Sequence, residues 1–329
     1  MKTMDECSTF AEALAHLVAE DAPLSSSALY ALSAASAEEV QLFRARWPAV
    51  PVPRRRGIIA QLAESAEANF ELDFGALFRV TIDDEDVQVR TLSVEGLWED
   101  DDAGLVEPLV RILRLDGGAS ARAAAATSLG RFVLMGEFEE LDERYAQLVR
   151  GALLESIEDG DEHVEVRRRA LESIAYLGNE RVRDLIAESY AHGDESVRIS
   201  AVFAMGRSGD TTWAQTVHKE LLSHSPAMRY EAARACGELE VKEAVPDLIR
   251  LVSQPDREVQ FAAIAALGQI GGGTARRALE RWCRSEDEVI SLVAEDALAE
   301  LELGEQPLDL FIFEPEAAED EDEGFGVEE

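Results

Sequence analysis

A 31-residue repeat in the second half of this chain constrains its fold more than any other sequence feature. When residues 194–299 are written in rows of 31, the same columns keep the same kind of side chain. The small residues that recur are Ala201, Ala232, Ala263 and Ala294, and then Gly206, Gly237 and Gly268. A fixed period of this length is typical of a solenoid, in which each repeat packs only against its neighbours.

The apolar and variable columns of a row lie on different helical faces. Positions such as Val197 and Ala201 stay apolar in most rows, and their spacing marks one face of a helix. Small side chains on that face let neighbouring helices approach closely. The columns of Ser200, Phe203 and Arg207 change chemistry between rows and share another face, so we predict that they meet solvent or a partner.

Each row predicts a pair of helices. The second helix begins at an Asp-x-x-Val-Arg sequence, with Asp194 as N-cap, and we expect it to end at a glycine such as Gly206 or Gly209. The first helix of a pair is predicted at 244–252, where Pro246 lies in the first turn and is tolerated.

The best-formed row resembles the HEAT and HEAT-like (bilin-lyase-type) repeats. The matching residues are Pro246-x-Leu248, Asp256-x-x-Val259 and Ala265-Ala266-Leu267-Gly268, and the resemblance extends over roughly residues 70–303. It implies an all-α, right-handed α-solenoid of about seven helix pairs, with the second helices on the concave side. It implies little about function, because solenoids of this kind serve many roles.

Three segments are predicted. Residues 1–68 form an N-terminal helical cap, residues 69–304 the HEAT-like solenoid, and residues 305–329 an acidic, largely disordered tail. Within the cap, Ser36 and Glu39 form a capping-box pattern. The stretch Arg54–Arg56 is either a solvated helix start or a contact for an anion or a partner.

One repeat is longer than the others. Arg122 and Arg167 occupy the same column but are 45 residues apart rather than 31, so about 14 residues are inserted near 136–145. Such an insertion predicts either a loop or a lengthened helix.

The net charge of −36 limits the partners that this chain can bind. Its field repels nucleic acid and anionic membranes, and favours a basic partner. Neither a signal peptide nor an 18-residue apolar run is visible in the sequence. The three cysteines show no CxxC spacing, and Cys236 falls in an apolar column, so we expect buried or free thiols and a cytoplasmic location.

The sequence offers little support for catalysis. No histidine is followed by glutamate, so the paired His-Glu motifs of the HEAT-like deoxyhypusine hydroxylases are absent, and nothing singles out a bilin pocket. We therefore expect no metal, no cofactor and a non-catalytic scaffold or adaptor that binds a protein or peptide. The alternative is a HEAT-like enzyme or lyase subunit, bilin-lyase-like or hydroxylase-like, that acts on a protein partner.

Arginine and aromatic residues define the candidate binding site. The residues predicted to line it, near the middle of the concave face, are Arg169, Tyr176, Phe203, Arg207 and Arg234. These residue types are enriched at binding hot spots, although they also occur as scattered surface residues without a partner.

A second set of arginines repeats at one column and is better explained by structure than by binding. The set is Arg90, Arg122, Arg167, Arg198 and Arg229. The resemblance implies that each pairs with the acidic residue of its own turn, as Arg198 would with Asp194, or with that of a neighbouring turn.

The C-terminal tail contains a short apolar motif before its acidic end. Leu310, Phe311 and Phe313 either close the last repeat or bind a partner. Because the tail is acidic and the central arginines are basic, a second hypothesis is that the tail competes for the central site within the same molecule.

Overall fold

The computed structural model describes residues 9–19 and 23–305, and every regular element among them is a helix. The first four helices are α1 (Phe10–Ala19), α2 (Ser26–Leu32), α3 (Ala37–Arg46) and α4 (Val52–Ala68). Seven pairs follow: α5 (Gly75–Thr81) with α6 (Val87–Glu95), α7 (Val106–Leu115) with α8 (Ala119–Glu137), α9 (Glu143–Glu158) with α10 (Val164–Ile174), α11 (Glu180–Tyr190) with α12 (Glu195–Arg207), α13 (Ala214–Glu220) with α14 (Pro226–Glu238), α15 (Val245–Leu251) with α16 (Arg257–Ile270), and α17 (Gly272–Trp282) with α18 (Glu288–Glu305). The prediction of an all-α solenoid of seven helix pairs is confirmed.

Short polar residues at the turns start the second helices. Asp194 accepts a hydrogen bond from the Ser196 amide at 2.7 Å, as its N-cap assignment predicts. Asp256 accepts one from the Val259 amide at 3.1 Å. The capping box at Ser36 is also present and starts α3.

The second helices form the continuous side of the stack. From α4 to α18, each second helix packs directly on the next, whereas contacts between successive first helices are sparse, most of all from α9 to α15. Because the second helices are more closely spaced than the first, the stack bends toward them. The second helices therefore line the concave face.

The repeated glycines lie where successive second helices touch. A Cβ atom on Gly206 would come within 2.8 Å of the Ala235 Cα, and one on Gly237 within 2.9 Å of the Ala266 Cα. Gly268 meets the backbone of α18 in the same way. A contact below 3 Å with backbone leaves no room for a side chain, so glycine is required at these positions by the close approach of two helices.

This contact corrects the prediction that Gly206 ends its helix. Helix α12 continues through Gly206 to Arg207, and the residue with left-handed backbone is Gly209, at φ +64°. Of the two glycines predicted to stop this helix, only Gly209 lies at its end.

The repeated arginines hold the turns, but mostly through backbone carbonyls. The Nη1 atom of Arg198 donates to the carbonyls of His192 and Gly193 at 3.0 and 2.9 Å. Asp194 is occupied in capping α12, so the predicted pairing of Arg198 with Asp194 is wrong.

Pairing with a neighbouring turn does occur in the first repeats. Arg90 contacts Asp116 at 2.6 Å, and Arg122 contacts Glu162 at 2.6 Å. Each of these arginines also donates to a carbonyl of its own turn. One side chain therefore fastens its own turn and the following repeat.

The inserted residues are absorbed by helices. Helix α8 has 19 residues and α9 has 16, which makes them the two longest helices of the first three repeats. Of the two predicted outcomes, a loop or a lengthened helix, the structure has the second.

The arginines at the start of α4 join that helix to the first repeat. Arg55 is buried and its Nη1 lies 3.0 Å from the buried carboxylate of Asp84, which also accepts a hydrogen bond from the Trp47 indole at 2.6 Å. Arg56 contacts Asp86 at 2.5 Å. Arg55 and Arg56 are thus structural ion-pair partners rather than a solvated helix start.

Three further predictions concern thiols, membranes and the tail. Cys236 is fully buried, as predicted, and burial raises the pKa of its thiol to about 12. In the part of the chain that the structure describes, no helix combines the length and apolar character needed to cross a membrane. The tail residues Leu310, Phe311 and Phe313 lie outside the described residues.

The glycine contacts lead to a stability prediction. We expect Gly237→Ala to lower the free energy of unfolding by about 1–3 kcal/mol, because the added methyl group overpacks the α14–α16 contact. Gly151→Ala is the matched control: it lies inside α9 with nothing within 4 Å of an added Cβ, and alanine should raise stability by up to about 1 kcal/mol. Thermal unfolding followed by circular dichroism would measure both, and equal effects would contradict the close-approach explanation.

Candidate protein-binding surface

Three of the five predicted site residues form one cluster on the concave face. Phe203 lies on α12, Arg207 one turn later, and Arg234 on α14. Both guanidinium carbons lie 5.4 Å from the centre of the Phe203 ring. Arg234 also lies 5.8 Å from the ring centre of Tyr230, which the sequence analysis did not single out. We call Phe203, Arg207, Arg234 and Tyr230 the arginine–aromatic cluster.

The arginines of this cluster are neutralised by glutamates. Glu238 lies 3.5 Å from Arg207 and 3.6 Å from Arg234, and Glu231 lies 3.4 Å from Arg234. Burial raises the pKa of both glutamates, while the arginines oppose that shift. The cluster therefore has balanced charge and is not the free basic patch that the tail hypothesis assumed.

Arg169 belongs to a neighbouring polar network. It contacts Glu165 and Glu172 on its own helix, each at 2.9 Å. Glu172 accepts a hydrogen bond from the Ser200 hydroxyl at 2.5 Å, and Ser200 accepts one from Arg168 at 2.9 Å. Ser200 is buried in this role, so the prediction that it meets solvent or a partner is wrong for this residue, whereas Glu231 and Val293 of the same column are partly exposed.

Tyr176 is not joined to the other predicted site residues by any hydrogen bond or ring contact in the described part of the chain. It follows the end of α10 and is half-buried against the core. Within 9–19 and 23–305 it shares no hydrogen bond or ring contact with the arginine–aromatic cluster.

A groove on the same face was not found from the sequence. It has a volume of about 620 Å³ and lies across α6, α8 and α10. Its lining includes Trp98, Glu95, Ala123, Ala124, Arg131 and Arg169. Arg169 therefore links this concave-face groove to the region of the predicted site. The run of small residues at Ala123–Ala126 is the sequence feature from which the groove could have been predicted, because alanines on the concave face leave space above a helix.

Arg131 differs from the paired arginines of the second helices. Its Nη1 donates to the Ser128 hydroxyl at 2.8 Å, but its buried Nε and Nη2 have no hydrogen-bond partner among the described residues. Burial lowers the pKa of Arg131 to about 10. The guanidinium carbon lies 4.7 Å from the Phe132 ring centre.

No group of three or more histidine, cysteine, aspartate or glutamate side chains in the described ranges is arranged to hold a metal ion.

The contacts of Phe203 predict an energetic coupling. In a double-mutant cycle, Phe203→Leu and Arg234→Met should couple by about 0.5–1 kcal/mol in the free energy of unfolding, because each removes the same cation–π contact. The matched pair Phe203→Leu and Tyr176→Leu should be additive, since those rings do not touch. Urea unfolding would measure both cycles, and additivity in the first would exclude a significant cation–π contribution.

Comparison with known families agrees with the repeat geometry. The model for HEAT repeats matches twice, at residues 151–219 and 214–299. Among curated proteins, no sequence matches the chain significantly.

Several solved structures have a similar arrangement of helices. The CpcE–CpcF phycocyanin lyase complex of Nostoc is 19% identical, with 69% of this chain and 87% of that chain covered and a TM-score of 0.48. Importin beta is 13% identical, with 89% and 44% covered and a TM-score of 0.45. Human deoxyhypusine hydroxylase is 18% identical, with 89% and 96% covered and a TM-score of 0.35.

At these identities and TM-scores the likenesses carry no functional conclusion for this chain. The family assignment depends on the sequence match and on the stacked helix pairs described above. Residues 151–299 of this chain are HEAT repeats, and the helix pairs before them stack in the same way.

Proposed function

We propose that this chain is a non-catalytic scaffold or adaptor that binds a protein or peptide on the concave face formed by its second helices. The observation that carries the proposal is the arginine–aromatic cluster, in which Phe203 lies between two arginine side chains at 5.4 Å from each. Arginine and aromatic side chains are the residue types that contribute most at binding hot spots.

The cluster is held in place before any partner arrives. Glu238 contacts both arginines, and α12 and α14 pack closely through Gly206. A side chain that is already fixed loses little rotamer freedom on binding, so more of the contact energy remains as affinity. This rigidity supports the role of Phe203 and Arg234 as contact residues.

The concave face extends beyond the cluster. Arg169 borders the groove over α6, α8 and α10, so the predicted contact surface continues from α14 back to α6. Solenoids typically use such extended concave surfaces to bind elongated partners. A partner that covers several repeats would use both regions.

The charge of the chain favours a basic partner, and its free thiols Cys236 and Cys283 favour a reducing compartment such as the cytoplasm. At −36, the chain attracts positively charged proteins at long range and accelerates their association. The tail motif at Leu310, Phe311 and Phe313 is the other proposed contact, and truncation separates its contribution from that of the solenoid.

Affinity purification from the native cell tests this function. The full chain should retain a protein partner, while Phe203→Ala/Arg207→Ala should lose most of it without a change in the helical circular dichroism spectrum. The matched control is Arg281→Ala/Trp282→Ala, which removes a similar cation–π pair (5.3 Å) from the first helix α17.

The outcomes separate the possibilities. A partner that is retained by the Phe203/Arg207 variant but lost from a 1–305 truncation would move the site to the tail. No protein partner, together with a metal or pigment that copurifies with the chain, would favour the enzyme or lyase-subunit alternative.

A further inference from the structure

The groove over α6, α8 and α10 has a second feature that the arginine–aromatic cluster lacks. Trp98 forms part of its wall and is 50% exposed. The same residue borders a smaller cavity of about 400 Å³, which is also lined by Phe70, a side chain 83% exposed. Large aromatic side chains that stay exposed beside a groove mark a binding surface better than scattered apolar residues do.

Among the described residues, no cation covers the ring of Trp98. Some other aromatic rings are covered by an arginine of the same molecule, as Tyr145 is by Arg144 at 5.2 Å and Trp282 is by Arg281 at 5.3 Å. Across residues 9–19 and 23–305, no arginine or lysine lies over Trp98. Tryptophan is the side chain that attracts cations most strongly through its ring.

Two exposed carboxylates, one in the groove and one near it, have no ion-pair partner among the described residues. Glu95 lines the groove three residues before Trp98. Glu67 on α4 is close enough to Glu95 for its charge to affect the pKa of Glu95. Neither glutamate forms an ion pair or a side-chain hydrogen bond with another described residue. Burial raises the pKa of Glu95, and the charge of Glu67 adds to that shift. A cation bound here would relieve the repulsion between the two carboxylates.

The remaining charges of the groove lie toward α8 and α10. Arg169 is paired with Glu165 and Glu172, so it has little charge to offer a ligand. Arg131 lies near Asp100 and Asp101, whose charges oppose the lowering of its pKa, and near Arg79, which pairs with Asp100 at 2.6 Å and adds to that lowering. At long range, the net charge of −36 disfavours an acidic ligand.

The floor of the groove fits a peptide backbone. Ala123 and Ala124 bring only methyl groups to the floor, and the hydroxyls of Ser120 and Thr127 are at its edge. A volume of about 620 Å³ is within the range of pockets that hold small ligands or short peptide segments.

We propose that this groove is the receptor for a basic residue of the partner, an arginine or lysine that stacks on Trp98, pairs with Glu95 and is followed by an apolar side chain over Ala123 and Ala124. This inference rests on the proposed function. It specifies which side chains of the partner bind in this groove. The open indole face and the unpaired carboxylates are complementary to a cation, and the small floor is complementary to an apolar neighbour.

The probes for this site are three fluorescein-labelled hexapeptides with alternating leucine. They carry arginine, glutamine or glutamate at the other positions, and binding to the full chain is measured by fluorescence anisotropy. At ~150 mM salt, where charges beyond ~8 Å are largely screened, the arginine peptide should bind more tightly than the glutamine peptide, and the glutamate peptide weakest.

Substitutions at the groove should weaken only the arginine peptide. Trp98→Leu and Glu95→Gln should each raise its Kd about fivefold, and Trp98→Phe should have a smaller effect because phenylalanine retains part of the cation–π attraction. Glu280→Gln is the matched control, since Glu280 is an exposed glutamate on α17, and it should leave the Kd unchanged.

Two results would overturn the site assignment. One is an arginine peptide whose Kd is unaffected by Trp98→Leu and Glu95→Gln; the other is tighter binding of the glutamate peptide, which would assign the groove to a carboxylate through Arg131. In either case a native partner that still depends on Phe203 and Arg207 would leave the scaffold function intact. If the native partner binds independently of Phe203 and Arg207 while the peptide results at the groove are as expected, the arginine–aromatic cluster is not the binding site of the scaffold function.

Discussion

The close contact between successive second helices is the interaction on which the rest of this structure depends. Gly206, Gly237 and Gly268 each meet the backbone of the following second helix at a distance that excludes a side chain. Ala235 and Ala266, on the other side of two of these contacts, are buried. Because this side of the stack is closely spaced and the first helices are not, the glycine contacts determine the curvature and create the concave face.

Close packing also determines which side chains reach that face. Ser200 is fully buried, so its hydroxyl bonds Glu172 and Arg168 rather than solvent. The columns of Phe203 and Arg207 remain partly exposed, and their side chains meet those of the next helix. The arginine–aromatic cluster thus forms because long side chains lie beside a row of small ones. Glutamates compensate the charge of its arginines.

The concave face contains two electrostatic environments. Around α12 and α14 each arginine of the cluster has a glutamate partner, so an incoming ligand would exchange contacts that already exist. Around Trp98 the carboxylates of Glu95 and Glu67 have no ion-pair partner in the described part of the chain. Both glutamates are exposed, so each can pair with an incoming cation without breaking an ion pair that already exists. The two regions would therefore contribute differently, the first through shape and rigidity and the second through charge.

The sequence by itself determined the helix pairs, their number, the N-caps and the three residues that form the core of the cluster, because a 31-residue period fixes which positions are equivalent. It did not determine why Gly206 is glycine, where Arg198 donates, or that Arg54–Arg56 includes structural ion-pair partners. Those answers depend on distances between helices far apart in the chain. The groove at Trp98 could not be predicted from the sequence for the same reason. Its residues come from three repeats, and only the stacking of those repeats brings them to one surface.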